Sequence, residues 1–268
     1  MYRPVHDNSD VESLQADLNT LSSWQDTWQM QFNPKKCFVL KISHSKSQTN
    51  HQYRLGESIL QETDSHSYLG VTITKDLKWD KHINNITNKA KQVLGVVRRN
   101  LHPCTKDLKA TAYKALVRPH LEYCCTVWDT HMVGHTLKLE AVQRRAARFA
   151  CRDYDRYSSV TDMLNDLKWD PLQSRRQVNR LTLMYKSLHG QVAIPAKQLL
   201  TPVVRPTRHN NSQAFIRPRA SKDCYKSSFF PATISEWNTL PESIINSTSP
   251  DSFKNQVTIH LRSQQLRD

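Results

Sequence analysis

Apolar residues recur at helical spacing through most of residues 79–190, and this repeat limits the region to packed helices. The clearest apolar stripe consists of Ile83, Ile86, Ala90, Val93, Leu94, Val97 and Leu101. The same spacing predicts further helices at about 106–117, 137–152, 160–167 and 170–188. This part of the chain is therefore expected to form a helical domain in which each helix buries one face.

Local signals predict where several of these helices begin and end. Arg118-Pro119 is expected to stop the helix at 106–117, because proline inside a helix lacks the N–H that the hydrogen-bond ladder needs. Asp170-Pro171 is a favourable start for the last of them, and Gly190 is suited to cap its end.

The first third of the chain mixes both kinds of secondary structure. Residues 9–29 have the spacing of an amphipathic helix, which Asn33-Pro34 would separate from the next element. Strands are expected at 36–43 and 67–74, and a small hairpin at 52–60 turning near Gly56-Glu57. The predicted fold class is α+β, with a small strand-containing region followed by a mainly α-helical region.

Residues 191–228 contain four prolines and many basic and small polar residues, which predicts a weakly structured basic connector. An apolar helix is expected at 229–240, and Ser249-Pro250-Asp251 opens a last helix that ends near Leu261. The domain boundaries predicted from these patterns are 1–78, 79–190, 191–228 and 229–268.

The charge balance indicates a polyanionic partner. The formal net charge is +14 and the isoelectric point is about 9.6, and such a surface attracts nucleic acid. The chain has only five glycines and neither GxGxxG nor GxxxxGK[ST], which argues against a Gly-rich nucleotide-binding fold. There is no apolar run long enough to cross a membrane, so no membrane partner is expected. The six cysteines form no CxxC pair and are expected to be free thiols of an intracellular protein, nuclear or cytoplasmic.

Arginines cluster on one face of the helix expected at 137–152. Arg144, Arg145, Arg148 and Arg152 fall within an arc of roughly 100°, while apolar residues occupy another arc of similar width. Basic residues also outnumber acidic ones strongly in residues 81–120, which include Arg98 and Arg99. Arginine is well suited to phosphate because its planar fork donates two hydrogen bonds, but a solvated surface would show the same pattern. Both interpretations remain open at this point.

No catalytic constellation is visible in the sequence. A two-metal polymerase site needs carboxylates that converge on both ions, and its usual local sign is a pair of adjacent aspartates. The chain has no Asp-Asp pair, and no cofactor is expected in it.

Several segments in order resemble the LINE-type, jockey-like reverse transcriptases of non-LTR retrotransposons. LQADLNTLSSWQDTWQMQFNPKKCFVLKIS (14–43) resembles the segment that follows the catalytic YADD box in that family. HSYLGVTITKDLKWDKHI (66–83) resembles the next motif. YKALVRPHLEYCCTVWD (113–129), LEAVQRRAARFACRDY (139–154) and residues 158–190 resemble the helical thumb region, and FKNQVTIHLRS (253–263) resembles the ending.

The resemblance implies functional roles for five residues. Lys35 and Lys36 match the palm motif whose lysine lies near the incoming nucleotide. Tyr68, Leu69 and Gly70 match the hairpin that grips the 3′ end of the primer. The expected partner is RNA or an RNA–DNA primer–template, with Mg²⁺ required by an intact family member.

The chain begins, by the same resemblance, just after the catalytic box, so the paired aspartates would lie upstream of it. We therefore expect a catalytically inactive fragment that retains nucleic-acid contacts, with the N-terminal polymerase part as a further partner. Three origins remain open: a relic reading frame, a clipped piece of an intact polymerase, or a stand-alone basic helical module that binds nucleic acid or protein.

Overall fold

The computed structural model describes residues 1–43, 51–204 and 211–265. The chain divides into two compact units, Met1–Lys81 and His82–Asp268. The predicted fold class is confirmed: short strands occur only early in the described chain, and the rest is mainly helical. None of the helices in the described ranges is both long and apolar enough to span a membrane.

The first unit is built around helix α1 (Asn8–Trp28), which confirms the helix predicted at 9–29. Asp7 caps its start, where the side chain accepts a hydrogen bond from the Asp10 N–H at 3.1 Å. Val11 is buried on the inner face of α1 and packs with Tyr53, Leu55 and Leu60. This small cluster is the apolar core of the unit.

Six short strands accompany α1 in the described part of the first unit. They are β1 (Phe38–Val39), β2 (Arg54–Leu55), β3 (Ser58–Ile59), β4 (Gln61–Glu62), β5 (Ser65–Tyr68) and β6 (Val71–Thr74). Strands β1 and β4 pair in parallel, β2 and β3 form the hairpin predicted around Gly56-Glu57, and β5 and β6 form a second hairpin. Gly56 adopts a positive φ of 58°, which its missing side chain permits.

Two strand predictions are wrong. The strand expected at 36–43 is only the two residues of β1, preceded by a 3₁₀ turn at Pro34–Lys36. The strand expected at 67–74 is instead the end of β5 and all of β6, because the chain reverses at Leu69 (φ 48°) and Gly70 (φ 82°). Positive φ at both central residues is the requirement of a type I′ hairpin turn, and leucine there obscured the signal.

The second unit is mainly helical within its described residues. The longer ones are α2 (Asp80–Asn100), α6 (Val133–Cys151), α8 (Leu172–Leu188), α11 (Phe229–Trp237) and α13 (Pro250–Gln265). The shorter ones are α3 (Lys106–Ala112), α4 (Arg118–Glu122), α5 (Cys125–Trp128), α7 (Val160–Asp166), α9 (Ala196–Leu199), α10 (Asp223–Lys226) and α12 (Glu242–Ile245). Helix α2 buries Ile83, Ala90, Leu94 and Val97 from the predicted stripe.

Helix α8 lies at the centre of this unit and packs against α4, α5, α6, α9, α11 and α13. Its Tyr185 stacks on Phe253, with ring centroids 4.5 Å apart, and Phe253 in turn stacks on Trp237 at 5.7 Å. These fully buried rings join three helices that lie far apart in the sequence. The helix begins at Leu172 with Pro171 as N-cap, one residue later than predicted. Gly190 has a φ of 66° just beyond the end of the helix, as the capping prediction requires.

Pro119 does not stop the helical path, contrary to prediction. Residues Tyr113–Val117 form a π-helical turn between α3 and α4, in which the Arg118 N–H donates to the Tyr113 carbonyl five residues earlier. The wider turn changes the ladder just before the proline, and Pro119 then lies in the first turn of α4, where no N–H is needed.

The connector predicted at 191–228 is more ordered than expected in its described parts. Leu200 and Phe215 belong to the apolar cluster that contains Tyr185, Trp237 and Phe253, and Pro202 and Phe215 form a β-bridge. The Asn211 amide donates to the Trp237 carbonyl at 2.7 Å. A few apolar anchors and one buried amide thus hold a segment whose composition is typical of a loop. The basic residues Arg205 and Arg208 lie outside the described residues.

Candidate nucleic-acid interface

The lysines assigned to the nucleotide side lie on an exposed turn of the first unit. Asn33 caps this 3₁₀ turn, where its side-chain oxygen accepts from the Lys35 N–H at 3.1 Å. The side chains of Lys35 and Lys36 are both exposed. The turn leads directly into β1, and β1 contacts the second hairpin where the Phe38 and His66 rings lie 5.2 Å apart. The structure therefore joins the lysine turn and the base of that hairpin in one unit.

The three residues assigned to the primer grip form the tip of the β5–β6 hairpin. Tyr68 is 64% exposed and Leu69 is 72% exposed. Gly70 completes the reversal of the chain. The hairpin tip thus exposes an aromatic and an aliphatic side chain, which are suited to contact with a sugar or base rather than with a phosphate.

Helix α6 separates its four arginines into two pairs. Arg144 and Arg145 are exposed, and within the described residues neither forms an ion pair or a side-chain hydrogen bond. The opposite face of α6 buries Leu139, Val142 and Ala146. The helix is therefore anchored by its apolar side and presents two guanidinium groups on the other.

Arg148 and Arg152 instead bind backbone carbonyls of their own chain. Arg148 donates to the Asp155 carbonyl at 2.7 Å and, more weakly, to the Ser158 carbonyl at 3.4 Å. Arg152 ends the helix in a left-handed conformation and donates to three successive carbonyls at residues 102–104, at distances of 2.8–3.2 Å. These two side chains hold loops in place, a role that the spacing of the arginines did not indicate.

Arg98 and Arg99 lie at the end of α2, beside the end of α6. They line an open cleft of about 480 Å³ together with Gly95, His102, Phe149 and Tyr154. The Arg98 guanidinium lies 5.8 Å from the centroid of the Tyr154 ring. Arg145 precedes Phe149 by one helical turn on α6, so it lies on the same side of the helix as this cleft.

Several other basic residues in 81–120 have structural roles. Lys109 is buried, with its ammonium 4.9 Å from the centroid of the Phe149 ring. Desolvation lowers the pKa of Lys109, and the positive charge of Arg152 lowers it further. Lys106 forms an ion pair with Asp166, and Arg118 pairs with Glu122 at 3.6 Å. The basic excess of this stretch therefore overstates the charge that is available to a ligand.

Two acidic residues of the second unit likewise pair with arginines of the chain itself. Asp129 binds Arg176 at 2.7 Å and also pairs with Arg180, which in turn pairs with Glu236. Burial raises the pKa of Glu236, while the charge of Arg180 opposes that rise. Asp129 and Glu236 thus neutralise arginines of α8 in the interior.

A divalent metal of the kind that polymerases use finds no matching site in the described residues. Within the ranges 1–43, 51–204 and 211–265, no group of three or more His, Cys, Asp and Glu side chains is arranged to hold a metal ion. The sequence also contains no adjacent aspartates. The residues present therefore do not fit the two-metal site, and no catalytic step through magnesium can be derived from them.

Comparison with curated proteins identifies similar sequences. Over 218 residues the chain is 28% identical to the probable RNA-directed DNA polymerase from transposon BS of Drosophila melanogaster. The aligned segment covers 78% of this chain and 23% of that protein. It is 23% identical over 207 residues to the RNA-directed DNA polymerase from mobile element jockey of the same species, or 74% of this chain and 22% of the relative. The polymerase from transposon X-element matches 55% of the chain at 24% identity.

This chain is a relative of the jockey-like reverse transcriptases. It spans about a quarter of the length of the first of these relatives, so the similarity concerns one portion of a much longer polymerase. No family model matches the chain. No solved structure matches it either.

Three residues of the cleft were not singled out in the sequence. Tyr154 and His102 lie next to helix ends, where an aromatic or imidazole side chain has many ordinary explanations. Gly95 carried a usable signal, because a glycine inside a long amphipathic helix weakens the helix and invites an explanation. Their proximity to one another depends on how α2 and α6 pack, which no local pattern encodes.

Proposed function

We propose that this chain forms the end of the palm and the thumb of an RNA-directed DNA polymerase, and that it binds RNA or an RNA–DNA primer–template. The observation that carries the proposal is the similarity to retrotransposon polymerases, which reaches 78% of the chain. In this assignment, 1–78 is the palm portion and 79–190 the thumb, with 191–228 and 229–268 completing the C-terminal region.

The contacts proposed for the second unit are with phosphate. Arg144 and Arg145 are the two arginines of α6 whose guanidinium groups point outward, and Arg98 and Arg99 lie at the end of the neighbouring α2. The planar fork of an arginine guanidinium matches the geometry of a phosphate. Contacts to the phosphate backbone of the nucleic acid do not depend on its base sequence. In the first unit, Tyr68, Leu69 and Gly70 are proposed to contact the primer end, and Lys35 and Lys36 the nucleotide side.

Catalysis is not proposed for this chain by itself. The proposed role is to hold the nucleic acid for an active site that other residues supply. The absence of adjacent aspartates in the sequence supports this division of labour. The N-terminal part of a polymerase is accordingly a proposed partner.

The salt dependence of binding tests the role of the α6 arginines. Fluorescence anisotropy would measure the affinity for an RNA–DNA primer–template over a range of salt concentrations. The double variant Arg144→Ala/Arg145→Ala should lower the log–log slope by about 0.7–0.9 for each lost phosphate contact. The helix should remain folded, because alanine favours helices and the buried face is unchanged.

A matched control removes the same charge elsewhere. Lys75 and Lys78 pair with Asp64 and Asp76 in the first unit, so Lys75→Ala/Lys78→Ala lowers the net charge equally without touching α6. The control should leave the slope nearly unchanged. An unchanged slope in the folded arginine variant, or an equal drop in both, would refute a specific role for Arg144 and Arg145. No detectable binding at low salt would refute the proposed function.

A further inference from the structure

Gly95 occupies an unexpected position inside α2, in the last third of the helix. Glycine destabilises a helix interior relative to alanine, so its presence calls for a structural requirement. The backbone does not provide one, because Gly95 is absent from the positive-φ glycines of the chain. Packing does not provide one either: a Cβ atom built there would meet only the end of the Arg99 side chain, at 3.9 Å. A methyl group would therefore fit.

The space that a larger side chain at Gly95 would enter is the cleft between the ends of α2 and α6. Phe149 forms an apolar part of its lining and is almost fully buried. Tyr154 contributes a ring that is 54% exposed. The cleft has a volume of about 480 Å³, which is within the range of sites that bind small organic groups.

The charges around the cleft favour an anion. None of the six residues that line it is acidic, and two of them are Arg98 and Arg99. Tyr154 lies between Asp153 and Asp155, but both carboxylates accept hydrogen bonds from the backbone of their own loop, at the N–H groups of Asp155 and Tyr157. The carboxylates of Asp153 and Asp155 thus accept hydrogen bonds within their own loop. Among the residues that line the cleft, the guanidinium groups of Arg98 and Arg99 are the charged groups.

Hydrogen bonds from two arginines of α6 hold two loops that line the cleft. The three carbonyls that Arg152 binds belong to residues 102–104, and this loop carries His102 into the lining. Arg148 binds the carbonyls of the loop that follows α6 and carries Tyr154. Such pre-organisation lowers the entropy lost when a ligand binds.

We propose that this cleft receives one unpaired nucleotide of a single-stranded nucleic acid, with the base against the Tyr154 ring and the phosphate at Arg98 and Arg99. A planar ring and a planar guanidinium are both surfaces on which bases stack, and they need no particular base. A base inside a duplex is covered on both faces by its neighbours, so only an unpaired one fits. The inference rests on the proposed function, since it assumes that the chain binds nucleic acid.

The test compares a single strand with a duplex. Anisotropy would measure the affinity of the full chain for a short oligouridylate, the matching oligodeoxythymidylate and a blunt RNA–DNA duplex. Gly95→Leu should fill the cleft and weaken single-strand binding by about 5- to 150-fold, the range expected for one lost base stack. Gly95→Ala adds only the methyl group that fits, and should bind as the wild type does. Equal losses for the two oligonucleotides mean that the cleft accepts both sugars, whereas a loss confined to one identifies the strand it takes.

A second pair of variants guards against misfolding of Gly95→Leu. Tyr154→Ala should weaken single-strand binding to a similar extent, and Tyr154→Phe should retain it, because phenylalanine keeps the ring. Duplex binding should be unchanged in all four variants. Wild-type single-strand affinity in both Gly95→Leu and Tyr154→Ala would overturn the inference.

Binding by the wild-type chain distinguishes a failure of the cleft inference from a failure of the proposed function. If it binds the duplex but neither oligonucleotide, the cleft has no such ligand, while the proposed function stands. If it binds none of the three probes, the proposed function fails and the inference fails with it.

Discussion

The Nη2 atom of Arg152 lies 2.8 Å from the carbonyl oxygen of Pro103, although α3, α4, α5 and α6 separate the two residues in the sequence. The same nitrogen reaches the carbonyls on either side of Pro103. One side chain at the end of α6 therefore satisfies the loop that follows α2, where the backbone has left the helical ladder. Arg152, which the sequence pattern suggested for phosphate contact, instead stabilises the fold.

Arg152→Ala should reduce the free energy of unfolding by about 1–2 kcal/mol, because the loop carbonyls lose a charged donor. The left-handed backbone at this position is equally unfavourable for alanine and arginine, so it does not contribute to the difference. Denaturant unfolding followed by circular dichroism measures the change. Arg144→Ala is the control on the same helix, expected within about 0.5 kcal/mol of the wild type. Equal stability of the two variants would contradict the structural role of Arg152.

Asp129, whose side chain is 9% exposed, should contribute far more to stability than an exposed aspartate. Asp129→Asn removes the charge that Arg176 and Arg180 share, and Arg176 is fully buried. Uncompensated buried charge predicts a loss of about 3–5 kcal/mol in the free energy of unfolding. Asp64→Asn breaks the exposed pair with Lys75 and should cost less than about 1 kcal/mol. Similar losses of unfolding free energy in the two variants would show that Asp129 stabilises the fold no more than an exposed aspartate does.

The stability of the second unit should fall in mild acid because of His82. Burial beside the Trp128 ring lowers the pKa of His82 to about 4. In the unfolded chain the pKa is about 6.5, so between these values the unfolded state binds the proton and the folded state does not. Stability is therefore retained above pH 6.5 and lost as the pH falls towards 4, by about 2 kcal/mol at pH 5.

His82→Phe keeps an aromatic ring and removes the titrating group. Unfolding midpoints measured at several pH values should show a smaller acid-induced decrease in this variant than in the wild type, whatever its stability at neutral pH. A parallel pH dependence in both proteins would exclude His82 as the cause.

Lys35 and Lys36 should contribute little to folding. Both side chains are exposed on the turn before β1, so changing either to alanine should alter the free energy of unfolding by less than about 0.5 kcal/mol. Denaturant unfolding is the measurement. Arg3→Ala serves as a comparison, because Arg3 forms an ion pair with Asp17 at 2.7 Å and its loss removes a contact within the first unit. A large loss in either lysine variant would assign it a structural role instead of a role at the nucleotide.

The purified chain should not extend a primer. We expect no magnesium-dependent incorporation of nucleotides on an RNA template above the level without protein, because the sequence has no adjacent aspartates and no group of three or more candidate metal ligands lies within the described residues. Incorporation by material free of other polymerases would overturn this expectation.

Periodicity and charge determined a large part of this protein without the structure. The helix at 9–29, the stripe on α2 and the hairpin at Gly56 follow from spacing and turn residues, which act over a few neighbouring positions. The order of family-like segments indicated the relationship to retrotransposon polymerases, and the comparisons confirmed it. These properties are local or additive along the chain, so a sequence displays them directly.

Only the tertiary structure decided which basic residues remain available. Arg144 and Arg152 occupy the same face of one helix in the sequence pattern, yet Arg144 is exposed and has no side-chain hydrogen bond among the described residues, whereas Arg152 binds three carbonyls. The sequence likewise did not predict the π-turn that accommodates Pro119 or the cleft beside Gly95. Each depends on groups brought together from distant positions, and the spacing of residues along a chain does not specify which backbone carbonyls or helix ends packing will place beside a given side chain.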